Sequence, residues 1–135
     1  MKWTGGCLCG AIRYEASGMP SYVGHRHCDR CRRVSGAAFL SGVTFRADSV
    51  EWTTQPPTLY PSSPGVDRGF CPNCGSSLTF QRPGRMFLLI GSLDRPEDID
   101  MSAPREFEAS HVFFPEKIPW VQIEDDLPRF DRFPT

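Results

Sequence analysis

The chain has no excess charge of either sign. Fifteen Lys and Arg stand against sixteen Asp and Glu, a formal net charge of −1. A general nucleic-acid binder is usually basic, so that class is disfavoured. Long apolar runs are missing too. The longest, Met86–Ile90, is too short to span a bilayer, so no membrane partner is expected. The opening Met1-Lys2-Trp3-Thr4-Gly5-Gly6 lacks the apolar segment of a secretion signal. A cytoplasmic location is therefore expected. No stretch carries a convincing amphipathic-helix period, and there is no repeat, linker or low-complexity tract. These absences leave one domain, residues 1–135.

What is abundant is punctuation and sulfur. Twelve Gly and 13 Pro cut the chain into short elements. Hydrophobic residues at 39% supply one core, which excludes a disordered chain. Six cysteines fall in three close pairs: Cys7/Cys9, Cys28/Cys31 and Cys71/Cys74. In a reducing compartment such pairs read first as metal ligands or redox groups. Buried apolar thiols fit poorly, because each pair sits in a polar, glycine-rich context. A three-disulfide scaffold would need a secretion signal.

Cys71-Pro72-Asn73-Cys74-Gly75 is the most specific piece. Two cysteines three apart on a tight turn place both sulfurs on one side, and Gly75 permits the positive φ on which the chain leaves. A thioredoxin-like redox motif would need a long helix next, yet Ser76-Ser77-Leu78-Thr79-Phe80 reads as a strand. Structural zinc takes four ligands. The other two must come from Cys7/Cys9 or Cys28/Cys31, and spacing alone does not choose between them.

The remaining segments read as short strands. Ala11–Ala16 alternates, with Ile12 and Tyr14 on one face. Ser21–His27, Phe39–Phe45, Val50–Thr53 and Ser110–Phe114 follow. Leu78–Gln81 and Met86–Ile90 form a hairpin about Pro83-Gly84, with Met86–Ile90 as a central strand. Gln55–Gly65, rich in Pro, reads as an exposed loop or edge. One or two helical turns are expected around Asp29–Ser35. The fold class is mainly β: antiparallel sheets of short strands with little helix.

In order along the chain, Gly5-Gly6-Cys7-Leu8-Cys9-Gly10, Arg13-Tyr14, His27-Cys28-Asp29-Arg30-Cys31-Arg32-Arg33-Val34-Ser35-Gly36, Phe70-Cys71-Pro72-Asn73-Cys74-Gly75-Ser76-Ser77-Leu78, Gly91-Ser92-Leu93-Asp94 and His111 followed by Trp120 resemble the glutathione-dependent formaldehyde-activating family, which includes the centromere protein V domain. The resemblance implies a β fold around a structural zinc on Cys7, Cys9, Cys71 and Cys74. It also implies a second, open zinc on a Cys-His-Cys-x-x-Cys segment, where a thiol such as glutathione meets a small aldehyde, a carbon–sulfur lyase reaction. Near-neutral charge argues against a chromatin role.

One position departs from that pattern: the segment here reads Arg26-His27-Cys28-Asp29-Arg30-Cys31. Arginine cannot ligate zinc. Only Cys28 and Cys31 match the family's catalytic ligands, so the second site is expected to be weak or empty. A histidine rescue is disfavoured, because in an extended segment His25 and His27 point away from Arg26 and Cys28. Arg26 and His27 are the candidate ligand-binding residues, Arg26 as a fixed charge for a carboxylate or for the Cys28 thiolate. His111 reads as a hydrogen-bonded structural histidine and Asp94 as a turn residue accepting backbone bonds. Arg32 and Arg33 read as solvated surface, and Phe107, Phe113, Phe114 and Trp120 as packing. A non-catalytic, zinc-stabilised binding module is the other function class. It differs from the enzyme in holding one zinc and giving no rate effect.

Overall fold

The computed structural model describes residues 1–102 and 104–133. Three strands, β1 (Lys2–Gly6), β2 (Arg13–Ser17) and β5 (Val50–Trp52), form a small antiparallel sheet in the order β1-β2-β5. Seven strands form the large sheet: β3 (Tyr22–Arg26), β4 (Leu40–Arg46), β6 (Thr58–Ser63), β7 (Val66–Phe70), β8 (Ser77–Arg82), β9 (Arg85–Leu89) and β10 (Glu108–Val112). Their order is β10-β3-β4-β9-β8-β7-β6. β9 is thus central, as its doubly apolar sequence requires. One helix, α1 (Asp29–Ser35), ends on Gly36 at φ 71°, where a left-handed backbone favours glycine.

The alternation of β9 divides the molecule into two layers of packing. Met86 and Leu88 face the small sheet and join Trp3, Tyr14, Val43 and Phe45 in the main core. Phe87 faces the other way and packs with Phe80, Leu40 and Cys31 beneath α1. Packing is tight at Gly5 of β1, between Tyr14 of β2 and the turn at Ile90–Ser92 that follows β9. A Cβ there would lie 2.4 Å from the Ser92 carbonyl oxygen and from the Tyr14 hydroxyl, so the side chain has no room.

Several readings need correction. β1 carries no clear strand signal. Its burial alternates, but Gly5 and Gly6 hide the pattern. Gln55–Gly65 lies at the sheet edge, one of the two forms expected of it. It contains β6, an edge strand bearing Pro61 and paired to β7 through the Pro64-Gly65 turn; an edge position tolerates the missing donor. β10 pairs parallel to β3, so the large sheet is mixed. Trp120 is 77% exposed rather than packed. Asp94 is not a turn acceptor of backbone bonds. It takes the Arg13 guanidinium, at 2.9 Å to one nitrogen, and the Thr4 hydroxyl at 2.7 Å. These bonds hold its carboxyl down at about 2, the Arg13 bond first.

Candidate metal centre and the cavity behind it

Two loops meet where the sheets join. Cys7 and Cys9 leave β1, and Cys71 and Cys74 link β7 to β8. The loops are built alike. The first amide of each bonds forward five residues, Cys7 N–H to the Ile12 oxygen at 3.0 Å and Cys71 N–H to the Ser76 oxygen at 2.9 Å. Each then turns on a left-handed glycine, Gly10 at φ 81° and Gly75 at φ 80°, which curls the chain so that its cysteines point inward.

The four sulfurs lie within 4.8 Å of one another. Cys7 and Cys9 are 3.6 Å apart, and Cys9 and Cys71 3.8 Å. Four thiolates placed about 2.3 Å from a zinc ion in a tetrahedron would stand roughly 3.8 Å apart. Donors surround the group: the Ile12 amide reaches Cys7 Sγ at 3.3 Å, and Asn73 Nδ2 reaches Cys9 Sγ at 3.2 Å. The Ser76 hydroxyl, 3.2 Å from Cys74 Sγ, is the first cause of that thiol's fall to about 5. Spacing and donors both fit a divalent ion. Among the described residues, no other three Cys, His, Asp or Glu groups converge in this way.

The third cysteine pair lies on the far face of the large sheet. Cys28 caps α1, and Cys31, fully buried, sits in its first turn. Arg26 ends β3 on the same side. Its guanidinium lies 3.9 Å from the Phe80 ring centre, 4.7 Å from Phe87 and 4.9 Å from Phe133. Arg68 of β7 completes the group, with two guanidinium nitrogens 3.8 and 3.9 Å from Cys31 Sγ and its Nε bonded to Ser62. The Cys31 thiol falls to about 6. The Cys28 hydrogen bond is the first cause, and the two arginines add to it against the opposing effect of burial. Cys28 is pushed up, first by that same bond, so the pair keeps one proton and one negative charge. A cavity of about 380 Å³ opens here between Cys28, Arg26, Arg30, Arg68, Phe80 and Phe133. A larger groove, of about 880 Å³, runs along the other cysteine cluster past Gly36 and Ser76 and does not include Cys28.

His27 points the opposite way. It is fully buried, and its Nε2 lies 2.9 Å from His111 Nδ1, while His111 Nε2 lies 2.9 Å from the Asp125 carboxylate. His25 stacks on His111 with ring centres 4.8 Å apart. The expected face of the histidines is therefore observed, as is the structural, hydrogen-bonded state of His111. Asp125, and Arg68 on the other face, gave no signal in the sequence, because strand pairing brings in Arg68 and the C-terminal segment beside β10 brings in Asp125. Arg32 and Arg33 both grip Asp29, Arg32 at 2.9 Å and Arg33 at 3.1 Å.

Burial is the first cause that lowers the His27 pKa, to about 4, and His25 is lowered for the same reason. The unfolded chain takes up the His27 proton near pH 6.5, whereas the fold refuses it until about pH 4. Stability should therefore fall as pH drops through that window, by on the order of 2 kcal/mol from His27. Denaturation midpoints at pH 7.5 and 5, with zinc in excess, test this. The loss should shrink in His27→Phe, and a flat wild-type profile would contradict the assignment.

Two sheets joined at a four-thiol cluster, with a second cysteine pair behind, define a β protein whose cysteine cluster could hold a metal ion. Comparison with known proteins narrows this. The family model for the glutathione-dependent formaldehyde-activating enzyme matches residues 2–113, and the chain belongs to that family. A protein of Halomonas elongata named "Putative glutathione-dependent formaldehyde-activating enzyme" is 30% identical over 133 residues, covering 92% of this chain and 82% of its own. An uncharacterised lyase of Schizosaccharomyces pombe is 32% identical over 79 residues, covering 58% of this chain and 57% of its own. A crystal structure of a Rhodobacter sphaeroides protein shares the fold at a TM-score of 0.58 and 24% identity, covering 79% of this chain and 99% of that one. Family membership supports a lyase-type enzyme. No helix among the described residues is long and apolar enough to cross a membrane.

Proposed function

We propose that the chain is a single zinc-binding domain, cytoplasmic, acting as a carbon–sulfur lyase on the adduct of a thiol such as glutathione with a small aldehyde. Cys7, Cys9, Cys71 and Cys74 hold a structural zinc, and the reaction takes place in the cavity at Cys28. When bound, that zinc supplies the tie between the sheets. The observation that carries the reading is the pairing of Cys28, half-buried in the wall of the cavity, with a buried Cys31 sulfur that faces two guanidinium nitrogens of Arg68.

The residues suit the proton movements of thiol addition to a carbonyl. Substrate sulfur attacks the aldehyde carbon, a C–S bond forms, and the carbonyl electron pair moves to oxygen. The Cys28 thiol donates its proton to that oxygen, and the cysteine pair recovers a proton from the next thiol. The reverse sequence releases the aldehyde. Arg26 and Arg68 hold positive charge beside the reacting sulfur, which favours its thiolate form. The sulfur-rich site needs a reducing compartment.

Exchange of formaldehyde with glutathione, followed by NMR, tests the reading. Wild type should accelerate the exchange, and Cys28→Ser should lose about 100-fold or more of that acceleration, the usual worth of a placed acid. No acceleration at any zinc loading would leave the non-catalytic binding module, which the Arg26 departure favours.

A further inference from the structure

We propose that the cavity at Cys28 binds the carboxylate of a small organic acid on the Arg26 guanidinium. One of its two reactants, the thiol or the aldehyde, therefore carries that carboxylate. This deepens the reading of the same cavity, but its test does not require turnover.

The argument starts from charge. A guanidinium removed from water is stable only when paired and hydrogen-bonded. Arg26 is 5% exposed and Arg68 7%. Arg68 is accounted for, with Nε on Ser62 and both terminal nitrogens on Cys31. Arg26 is accounted for only in part: it also lies against the Cys31 thiol, but its buried Nε has no partner. Among the described residues, no carboxylate lies within ion-pair distance of Arg26, Arg30, Arg68 or Arg82. The acids on the cavity wall are engaged elsewhere: Asp29 is held by Arg32 and Arg33, and Glu116 accepts the Asp29 amide at 3.0 Å. Two buried guanidinium groups with no carboxylate in reach leave positive charge uncompensated.

The site is also built to hold a ligand in a fixed orientation. Three aromatic rings fix the plane of the Arg26 fork. A planar fork matches a carboxylate edge-on. Surplus positive charge suits an anion, and Phe80, Phe113 and Val66 on the wall suit an organic stem better than an inorganic ion. Formaldehyde offers nothing to this charge. A carboxylated aldehyde or a carboxylated thiol does.

Alkylation of Cys28 reads the site directly. Iodoacetate carries a carboxylate, whereas iodoacetamide has the same shape and none; each forms a thioether as iodide leaves. With the zinc-loaded protein and peptide mapping at Cys28, the iodoacetate-to-iodoacetamide rate ratio should exceed that of free glutathione by about tenfold. The ratio should fall to the free-thiol value in Arg26→Gln and stay raised in Arg26→Lys. Protection by glyoxylate but not formaldehyde would assign the carboxylate to the aldehyde. Protection by glutathione but not 2-mercaptoethanol would assign it to the thiol. A wild-type ratio equal to that of free thiol overturns the proposal, as does an enhancement that survives in folded Arg26→Gln. Should that variant fail to fold, saturation of the wild-type rate by iodoacetate and its competition by acetate but not acetamide decide. A linear rate without competition overturns the proposal. Exchange assays unreactive with both formaldehyde and glyoxylate, alongside a raised ratio, would sink the lyase reading and leave the carboxylate site standing.

Discussion

Cys74→Ser should abolish the cooperative melting transition of this chain. Cys74 reaches the cluster from the β7–β8 loop, and two of its partners come from the loop after β1, more than sixty residues away in sequence. The cluster therefore joins the two sheets as well as decorating a turn. Loss of one thiolate removes a quarter of the ligand set. It leaves Cys7 and Cys71, both buried, without the ion that would satisfy their charge. A structural zinc is worth roughly 10 kcal/mol or more of folding free energy, while a small domain retains only about 5–15 kcal/mol in total. Substituting one ligand is thus of the same size as the whole stability. Calorimetry and near-ultraviolet circular dichroism of the variant, and of wild type treated with a strong chelator, should both show a chain without fixed tertiary structure at 37 °C. A variant that melts at the wild-type temperature would show that the sheets stay together by packing alone.

The second large effect is in metal count. Wild type should hold one tightly bound zinc per chain, and Arg26→Cys should hold two. Arginine offers no lone pair to a metal. The new thiol, placed with Cys28 and Cys31, would supply the three-thiolate set of an open zinc site. The same change removes a guanidinium from between the rings of Phe80, Phe87 and Phe133, so the variant should also be less stable without zinc. Two tightly held ions in wild type would contradict the reading of Arg26. One ion in the folded variant would show that Cys28 and Cys31 are turned away from a shared centre.

How much of this was readable in the chain follows from the range of each interaction. The Cys71–Cys74 knuckle, the hairpin about Pro83-Gly84 and the α1 segment are written in local residues, and each lies where the sequence puts it. The partner of the knuckle was not local. Spacing left two cysteine pairs open, and family resemblance pointed to the pair that geometry brings together. The setting of Arg26 lay further out of reach. Its contacts with Phe80, Phe87 and Arg68's thiol partner depend on the register of five neighbouring strands. The histidine cluster arises because β10 pairs parallel to β3 and sets His111 directly beside His25. A parallel crossover leaves no turn signature, so nothing in the sequence marked it. β1 was missed because glycines erase its alternation, whereas β6 was left between loop and edge because Pro61 argues against a strand while an edge position permits it.

The central claim is that four thiolates from two distant loops grip one metal ion. X-ray absorption at the zinc edge, on protein purified without chelator and with its metal content counted, tests this most directly. The expected result is one zinc per chain in a shell of four sulfurs at about 2.3 Å. A metal-free folded protein, or a first shell dominated by nitrogen and oxygen, would contradict it.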